Sequence, residues 1–334
     1  MDPLRIVAIG GGTGLSTLLH GLKRYAEEPR DAEITAVVTV TDDGGSSGRL
    51  RREFEVLPPG DIRNCMVALS EDEGLLSRLF QYRFTDGKGL KGHSFGNLFL
   101  TALTNLTGDF AQAVKLSSEI LASLGRIFPA TESNVILEAE LENGRIVVGE
   151  SKISKSRSRI KSIRLHPRVC QPMPETLDAI HRADLITFGP GSLFTSVIPN
   201  VLVQGIPSAI RRSRALKAYF VNLMWQPGET IGFRASDHVQ AIHRHAGGPL
   251  FDVVVVNTRA ISARQRRKYA AKDAQSVLND VDRLADMGLQ VVARDLLADG
   301  DIVRHDSRAA AGVAIELAGR SRVNRKKVRI LGEK

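Results

Sequence analysis

Glycines that leave the backbone accessible are the first groups in the chain suited to chemistry. Gly10, Gly11, Gly12 and Gly14, with Thr13 between them, follow a short apolar run and precede a predicted helix start. Glycine lets a ligand approach the backbone, and the first N–H groups of a helix attract anions. The pattern predicts a turn between a strand and a helix, in which Gly11, Gly12, Thr13 and Gly14 cradle a diphosphate.

The motif alone does not identify the ligand of this loop. The dinucleotide fingerprint requires a third glycine where the chain has Leu15, and no Walker A Lys-Ser/Thr pair follows the loop. A nicotinamide-dependent oxidoreductase is therefore disfavoured, and a tight turn without a ligand is an alternative.

Carboxylates follow the next predicted strand, residues 33–41. Asp42 and Asp43 precede a run of glycine and serine, and Asp61 is predicted to cap a further helix. Carboxylates at strand ends can bind a divalent cation or ribose hydroxyls. Asp42, Asp43 and Asp61 are therefore candidate magnesium ligands, although a plain surface turn also explains the first two.

The segment GHSFG at residues 92–96 matches the nucleophile elbow of serine hydrolases. An elbow follows a buried strand, whereas a polar loop precedes this segment, so serine hydrolysis is disfavoured. The segment instead predicts a helix start, with His93 and Asn97 near an anion-attracting N-terminus. A hydrogen-bonded, partly buried imidazole is the alternative for His93.

A second strand–glycine–helix element predicts another half of the site. Gly191 lets a ligand approach, Ser192 or Thr195 can cap the helix, and Asn222 lies near the end of a further strand. Tyr269 stands among arginines and lysines and can stack on a nucleobase, although ordinary packing is the simpler interpretation. These residues predict a cleft between the two glycine loops.

The elements that position these loops are strands that alternate with helices. This alternation predicts an α/β fold, Rossmann-like and doubly wound, with a mostly parallel sheet. Asn143-Gly144 predicts a hairpin turn in a small antiparallel β insert at residues 134–168. We expect one domain over residues 1–318 and a basic, flexible tail over residues 319–334.

Composition limits the class of function. The net charge is +9, but seven basic residues and one acidic residue between positions 320 and 334 supply most of it. The body is nearly neutral, so a nucleic-acid partner would rest on the tail alone. The longest apolar runs are too short to span a bilayer, and the N-terminus lacks a secretion signal pattern. With two cysteines that fit a reducing compartment, a cytoplasmic location is predicted.

Six segments in a fixed order resemble one family. They are GGGTGLS at 10–16, TVTDDGGSSGRL at 39–50, PPGDIRNCMVAL at 58–69, GHSFGNLFL at 92–100, GPGSLFTSVIPN at 189–200 and RHD at 304–306. Together they resemble the YvcK-like gluconeogenesis-factor family, within the CofD-like superfamily, over nearly the whole chain apart from the basic tail.

The resemblance implies a cytoplasmic regulatory factor needed for growth on gluconeogenic carbon sources and for normal cell shape. It implies a UDP-sugar ligand, such as UDP-N-acetylglucosamine or UDP-glucose, bound with the help of a tyrosine and an arginine that match Tyr269 and Arg304. A cell-wall synthesis or regulatory protein as partner, and a homodimer, are further expectations. The predicted ligand-contacting residues are Gly11, Gly12, Thr13, Gly14, Asp42, Asp43, Asn64, His93, Asn97, Gly191, Ser192, Asn222, Tyr269 and Arg304.

The CofD-like relatives imply an alternative. They are transferases that join a phospholactyl group to a deazaflavin with a divalent metal, whose acidic ligands match Asp42 or Asp43, and Asp61. The chain departs from that branch at residues 59–64, PGDIRN, where the transferases carry a more acidic run. A binding factor is therefore favoured, with a magnesium-dependent transferase of a phosphorylated or nucleotide-activated group as the alternative.

Overall fold

The architecture was obtained as a computed structural model, which describes residues 2–27, 30–71, 74–156, 158–271 and 273–332, with the backbone alone at 325–332. The strands are β1 Leu4–Gly10, β2 Ala32–Val38, β3 Gly125–Pro129, β4 Ile136–Leu141, β5 Ile146–Val148, β6 Ile160–His166, β7 Leu185–Phe188, β8 Leu216–Phe220, β9 Val253–Asn257 and β10 Gln290–Arg294. The helices are α1 Gly12–Lys23, α2 Gly45–Phe54, α3 Gly60–Leu69, α4 Leu75–Gln81, α5 Phe95–Thr107, α6 Phe110–Ile120, α7 Glu150–Ile153, α8 Pro174–Arg182, α9 Ile198–Leu202, α10 Ile206–Arg212, α11 Ala235–His245, α12 Ala263–Ala270, α13 Val281–Asp286 and α14 Ser307–Gly332. A π-helical segment, Leu193–Val197, precedes α9.

Seven parallel strands form the main sheet, in the order β10-β9-β8-β7-β1-β2-β3. The chain builds β1, β2 and β3 toward one edge and then β7 to β10 toward the other. The winding direction therefore reverses between β1 and β7, which confirms the predicted doubly wound α/β fold. Sheets of this kind bind ligands outside the carboxyl ends of the strands at the reversal.

The sheet core explains the departure from the dinucleotide fingerprint. Strand β1 buries its apolar residues against helices on both sides, with Ile9 fully inaccessible. Leu15, in the first turns of α1, is also fully buried, and its Cβ lies 3.5 Å from the position that a Cβ on Gly10 would take. The third glycine of the fingerprint is replaced here by a core residue.

The small antiparallel insert is present as predicted. Strands β4, β5 and β6 form a separate sheet in the order β5-β4-β6, and Gly144 takes the left-handed φ of +79° that the hairpin turn requires. The one-turn helix α7 follows β5 and returns the chain toward the main sheet.

Helix α14 extends past the predicted end of the domain. It continues to Gly332, and Arg322 donates hydrogen bonds to the carbonyl oxygens of Asp2 and Pro3 and pairs with Asp184. The first part of the predicted tail is therefore helical and contacts the body of the protein. The side chains of 325–332, and residues 333–334, lie outside the described part of the chain.

The described helices differ from membrane-spanning helices in length or in apolar composition. None of them is by itself long and apolar enough to cross a bilayer. Taken together, the segments Leu193–Leu202 and Ile206–Arg212 have the length and apolar composition of a membrane span, but they are bent by 79° relative to each other.

Candidate functional site

A cleft of about 810 Å³ opens at the winding reversal between β1 and β7. Both glycine loops form its floor, and the carboxyl end of β8 and the segment before α14 form one wall. Among the residues predicted to contact a ligand, the structure brings the following to this cleft: Gly11, Gly12, Thr13, Gly14, Gly191, Ser192, Asn222, Tyr269 and Arg304.

The glycines of the first loop are required by close packing at Gly11 and Gly14 and by a left-handed backbone at Gly12. A Cβ on Gly14 would lie 2.3 Å from the carbonyl oxygen of Pro190, because the loops touch at this point. A Cβ on Gly11 would lie 2.7 Å from Oδ2 of Asp61. Gly12 is left-handed, with a φ of +62°. The turn is therefore built by contacts on its buried side, which leaves its other side to the cleft.

The Asp61 side chain contacts the first glycine loop, and Asp61 does not occupy the N-cap position of α3. The predicted N-cap role is wrong, because Pro59 occupies that position and Asp61 is the second residue of α3. Its carboxylate accepts a hydrogen bond from the backbone N–H of Gly12. Burial and the nearby Asp42 raise the pKa of Asp61 to about 7, against the opposing effects of the Gly12 N–H and Arg63. This carboxyl group can therefore exchange a proton near neutral pH.

Two further carboxyl groups line the same end of the cleft, and no motif predicted them. Burial, followed by Asp42 and Asp61, raises the pKa of Glu150 to about 9, so that this side chain holds a proton at neutral pH. Burial raises the pKa of Glu229 to about 7, although its carboxylate accepts from the backbone N–H of Phe194 at 3.2 Å. Glu150 is brought there by α7, and no local sequence signal identifies either residue.

The cleft is also lined by an aromatic ring and a cation. The Tyr269 hydroxyl accepts a hydrogen bond of 3.0 Å from the backbone N–H of Val303, so the ring lies beside the residue that precedes Arg304. The ring also packs on the small cluster that contains Leu223 and Met224. Arg304 is exposed and forms no ion pair with the described side chains. Its guanidinium group is therefore available to an anionic ligand.

Gln226 joins the second glycine loop to the end of β8, and sequence reasoning missed it. Its amide donates to the Ser192 hydroxyl at 2.6 Å and accepts from the Asn222 amide at 3.1 Å. Ser192 occupies the N-cap position of the π-helical segment, but its hydroxyl bonds to Gln226 and makes no capping hydrogen bond, while Thr195 bonds to Glu229. In the sequence, Gln226 is a single polar residue after Trp225, and nothing in that local pattern indicates that it links the two segments.

The remaining predicted contact residues lie outside the walls of this cleft. Asp42 accepts from the Gly44 N–H at 2.8 Å, and Asp43 accepts from the Ser151 N–H at 2.8 Å. The others, Asn64, His93 and Asn97, belong to a cluster where helix N-termini meet, behind Asp61. These five residues do not line the cleft that holds the other predicted residues, and their contact with a ligand stays a prediction.

The three aspartates are not gathered into a metal site. Within the part of the chain that the structure describes, no group of three or more His, Cys, Asp or Glu side chains is arranged to hold a metal ion. Asp42, Asp43 and Asp61 each accept a backbone N–H, which occupies part of their capacity as ligands.

The fold and the cleft define a doubly wound α/β protein with its site at the winding reversal, and comparisons with known proteins agree. The family model for 2-phospho-L-lactate transferase CofD matches residues 6–297. A gluconeogenesis factor of Bacillus subtilis is 47% identical over 314 residues, 94% of this chain and 98% of the relative. One from Halalkalibacterium halodurans is 47% identical over 317 residues, 95% and 97% of the two chains. A crystal structure of a Bacillus halodurans protein matches with a TM-score of 0.90 and 46% identity, covering 94% of this chain and all of that one. The chain therefore belongs to the CofD family and, within it, to the gluconeogenesis factors.

Proposed function

We propose that this protein is a UDP-sugar-binding regulatory factor that acts in gluconeogenesis and in cell-shape and cell-wall homeostasis. One observation carries the proposal: the glycine loops, Tyr269 and Arg304, which are far apart in the sequence, line a single cleft. The role in gluconeogenesis follows from the named relatives at close identity.

The chemistry of the cleft matches the parts of a nucleotide sugar. The N-terminus of α1, a helix of 12 residues, attracts a diphosphate to Thr13 and Gly14. Tyr269 offers its ring to the uracil, and Arg304 offers its charge to a phosphate. The carboxyl groups of Asp61, Glu150 and Glu229 can donate hydrogen bonds to sugar hydroxyls and accept hydrogen bonds from them, because Glu150 keeps its proton at neutral pH.

Regulation would follow from a population shift. A ligand that bridges the two glycine loops and Arg304 binds only a conformation in which these segments are close together. Such a ligand stabilises that conformation in proportion to its differential affinity for it. The partner, for which we propose a cell-wall synthesis or regulatory protein, would recognise the ligand-stabilised surface.

Arg304→Ala is expected to weaken UDP-N-acetylglucosamine binding by about 10- to 100-fold, since a hydrogen bond to a charged group contributes roughly 1.5–3 kcal/mol. Calorimetric titration of the purified protein measures this effect, with UDP-glucose as a second ligand. Arg308→Ala removes an exposed arginine four positions along and should leave the affinity unchanged. An absence of heat with either UDP-sugar, in wild-type protein freed of co-purified ligand, would contradict the proposal.

A second candidate, a transferase of a phosphorylated or nucleotide-activated group, is favoured by one observation. The Asp61 carboxyl group lies on the glycine loop with a pKa near 7, which suits a general base. Its loss typically costs about 10²–10⁴-fold in rate. Chromatography of nucleotide donors incubated with the protein and magnesium measures turnover. Asp61→Asn should remove it, while Asp31→Asn at an exposed position should not. Donors that stay intact with wild-type protein and a range of phosphorylated acceptors would leave only the binding role.

A further inference from the structure

Three helices begin at one polar cluster behind Asp61. The N-terminal turns of α2, α3 and α5 meet there, and these helices have 10, 10 and 13 residues. The Asn97 amide donates to the Ser47 hydroxyl at 3.4 Å, and Ser46 and His93 are hydrogen-bonded at 3.0 Å. The Arg63 side chain crosses the start of α5. We call this cluster of Ser46, Ser47, Arg63, His93 and Asn97 the three-helix junction.

Two polar atoms of the three-helix junction are buried and unpaired. Arg63 is 8% exposed, and its Nε has no hydrogen-bond partner among the described residues. Asn97 is 2% exposed, and its Oδ1 likewise has none. Buried polar atoms are nearly always paired in folded proteins. In the orientation that the structure gives Asn97, this unpaired donor and this unpaired acceptor suit a ligand that carries both an anionic oxygen and an O–H group.

The charges around the three-helix junction favour an anion. Two more arginines approach it: Arg49 donates to the carbonyl oxygen of Lys91 and Arg83 to that of Gly92, the two residues before His93. Burial, then Arg49 and Arg83, lower the pKa of His93 against the opposing Glu53. Asp61 and Asp42 are the acidic groups that raise the pKa of Arg63, whereas burial and the nearby Arg83 lower it. Each helix N-terminus adds a partial positive charge.

We propose that the three-helix junction binds the phosphate group of a small phosphorylated ligand, separately from the nucleotide-sugar cleft. The Arg63 Nε–H donates to a phosphate oxygen. The Asn97 Oδ1 accepts from an O–H, either of hydrogen phosphate itself or of a phosphorylated polyol. Asp61 links the two sites, because its carboxylate contacts the first glycine loop and its charge raises the pKa of Arg63. The proposal does not depend on the identity of the ligand in the cleft.

Calorimetric titration of the full chain with inorganic phosphate and with glycerol 3-phosphate tests the proposal. We expect saturable binding of at least one of them, and at least tenfold weaker binding in Arg63→Gln. Arg52→Gln removes an exposed arginine of α2 and should leave the affinity unchanged. Because a buried arginine can matter for folding, Arg83→Gln at an exposed position provides a second variant, with an expected severalfold loss.

Two comparisons separate this site from other sources of binding. Sulfate carries no proton at neutral pH, so it should bind at least tenfold more weakly than phosphate; equal affinities would overturn the pairing with Asn97. Saturating UDP-glucose should not displace phosphate, and displacement would assign the phosphate to the cleft instead. No binding of either phosphate ligand to wild-type protein, or unchanged affinity in folded Arg63→Gln and Arg83→Gln, would also overturn the proposal.

Discussion

Gly14→Ala is expected to abolish measurable UDP-sugar binding and to destabilise the protein by about 1–3 kcal/mol or more, the usual range for overpacking. The added methyl group would lie 2.3 Å from the carbonyl oxygen of Pro190 and 2.7 Å from the backbone nitrogen of Gly191. Both atoms belong to backbone, so no side-chain rotation relieves the contact. The two glycine loops must move apart, which separates the halves of the proposed diphosphate site. Urea denaturation and calorimetric titration measure the two effects.

Gly45→Ala is the matched control for this prediction. Gly45 is left-handed, with a φ of +47°, but a Cβ there meets nothing within 4 Å. Alanine should therefore cost only the conformational penalty of about 1–2 kcal/mol, without moving the loops. Ligand affinity close to wild type in Gly45→Ala, together with its loss in Gly14→Ala, would assign the effect to the contact between loops. Normal affinity in Gly14→Ala would contradict the packing argument.

The parts of the site that could be predicted from sequence are those encoded in neighbouring residues. A strand that runs into glycines and a helix has a local pattern, so both glycine loops and their shared sheet edge were predictable. The doubly wound order follows from the same alternation. From local pattern alone, Leu15 is a departure from the dinucleotide fingerprint, because its role in the core depends on its contact with strand β1.

Long-range burial could not be predicted from local patterns. Glu150 acquires its raised pKa from burial and from Asp42 and Asp61, which are about a hundred positions away and approach it only in the folded chain. Asp61 has the residue type of a helix cap, yet it lies inside α3 as its second residue, and the loop after another strand brings the Gly12 N–H to its carboxylate. Motifs that end near the same sheet edge carry no local signal of how they divide in space, and His93 and Asn97 lie at the three-helix junction, outside the lining of the cleft.

The second large effect expected is a loss of stability on raising the pH from about 7 to about 8.5. The pKa of Glu150 is about 9 in the folded protein, against an ordinary value of 4.5 for a glutamate exposed to water. Between these values the folded state holds a proton that the unfolded state has lost, so the free energy of unfolding falls as the pH rises. One such carboxyl group contributes up to about 1.4 kcal/mol per pH unit.

The pKa values of Asp61 and Glu229 are raised only to about 7, so their contribution to the slope fades above about pH 8, and the comparison with a Glu150 variant separates the contribution of Glu150 from theirs. The pKa values of His243 and His305 are lowered to about 4, and these side chains are neutral in both states above about pH 7.5. Their effect has the opposite sign and lies at lower pH, between about 4 and 6.5.

Glu150→Gln tests the assignment, because glutamine keeps the shape of a protonated glutamate but cannot ionise. Urea denaturation at several pH values between about 7 and about 8.5 should show a flatter dependence of unfolding free energy in this variant than in wild type. Glu27→Gln, at an exposed position, should retain the wild-type slope. An unchanged slope in Glu150→Gln would mean that the carboxyl group ionises without cost in the fold. The proton that the cleft offers to a sugar hydroxyl would then have to come from Asp61 or Glu229, both of which line the same wall.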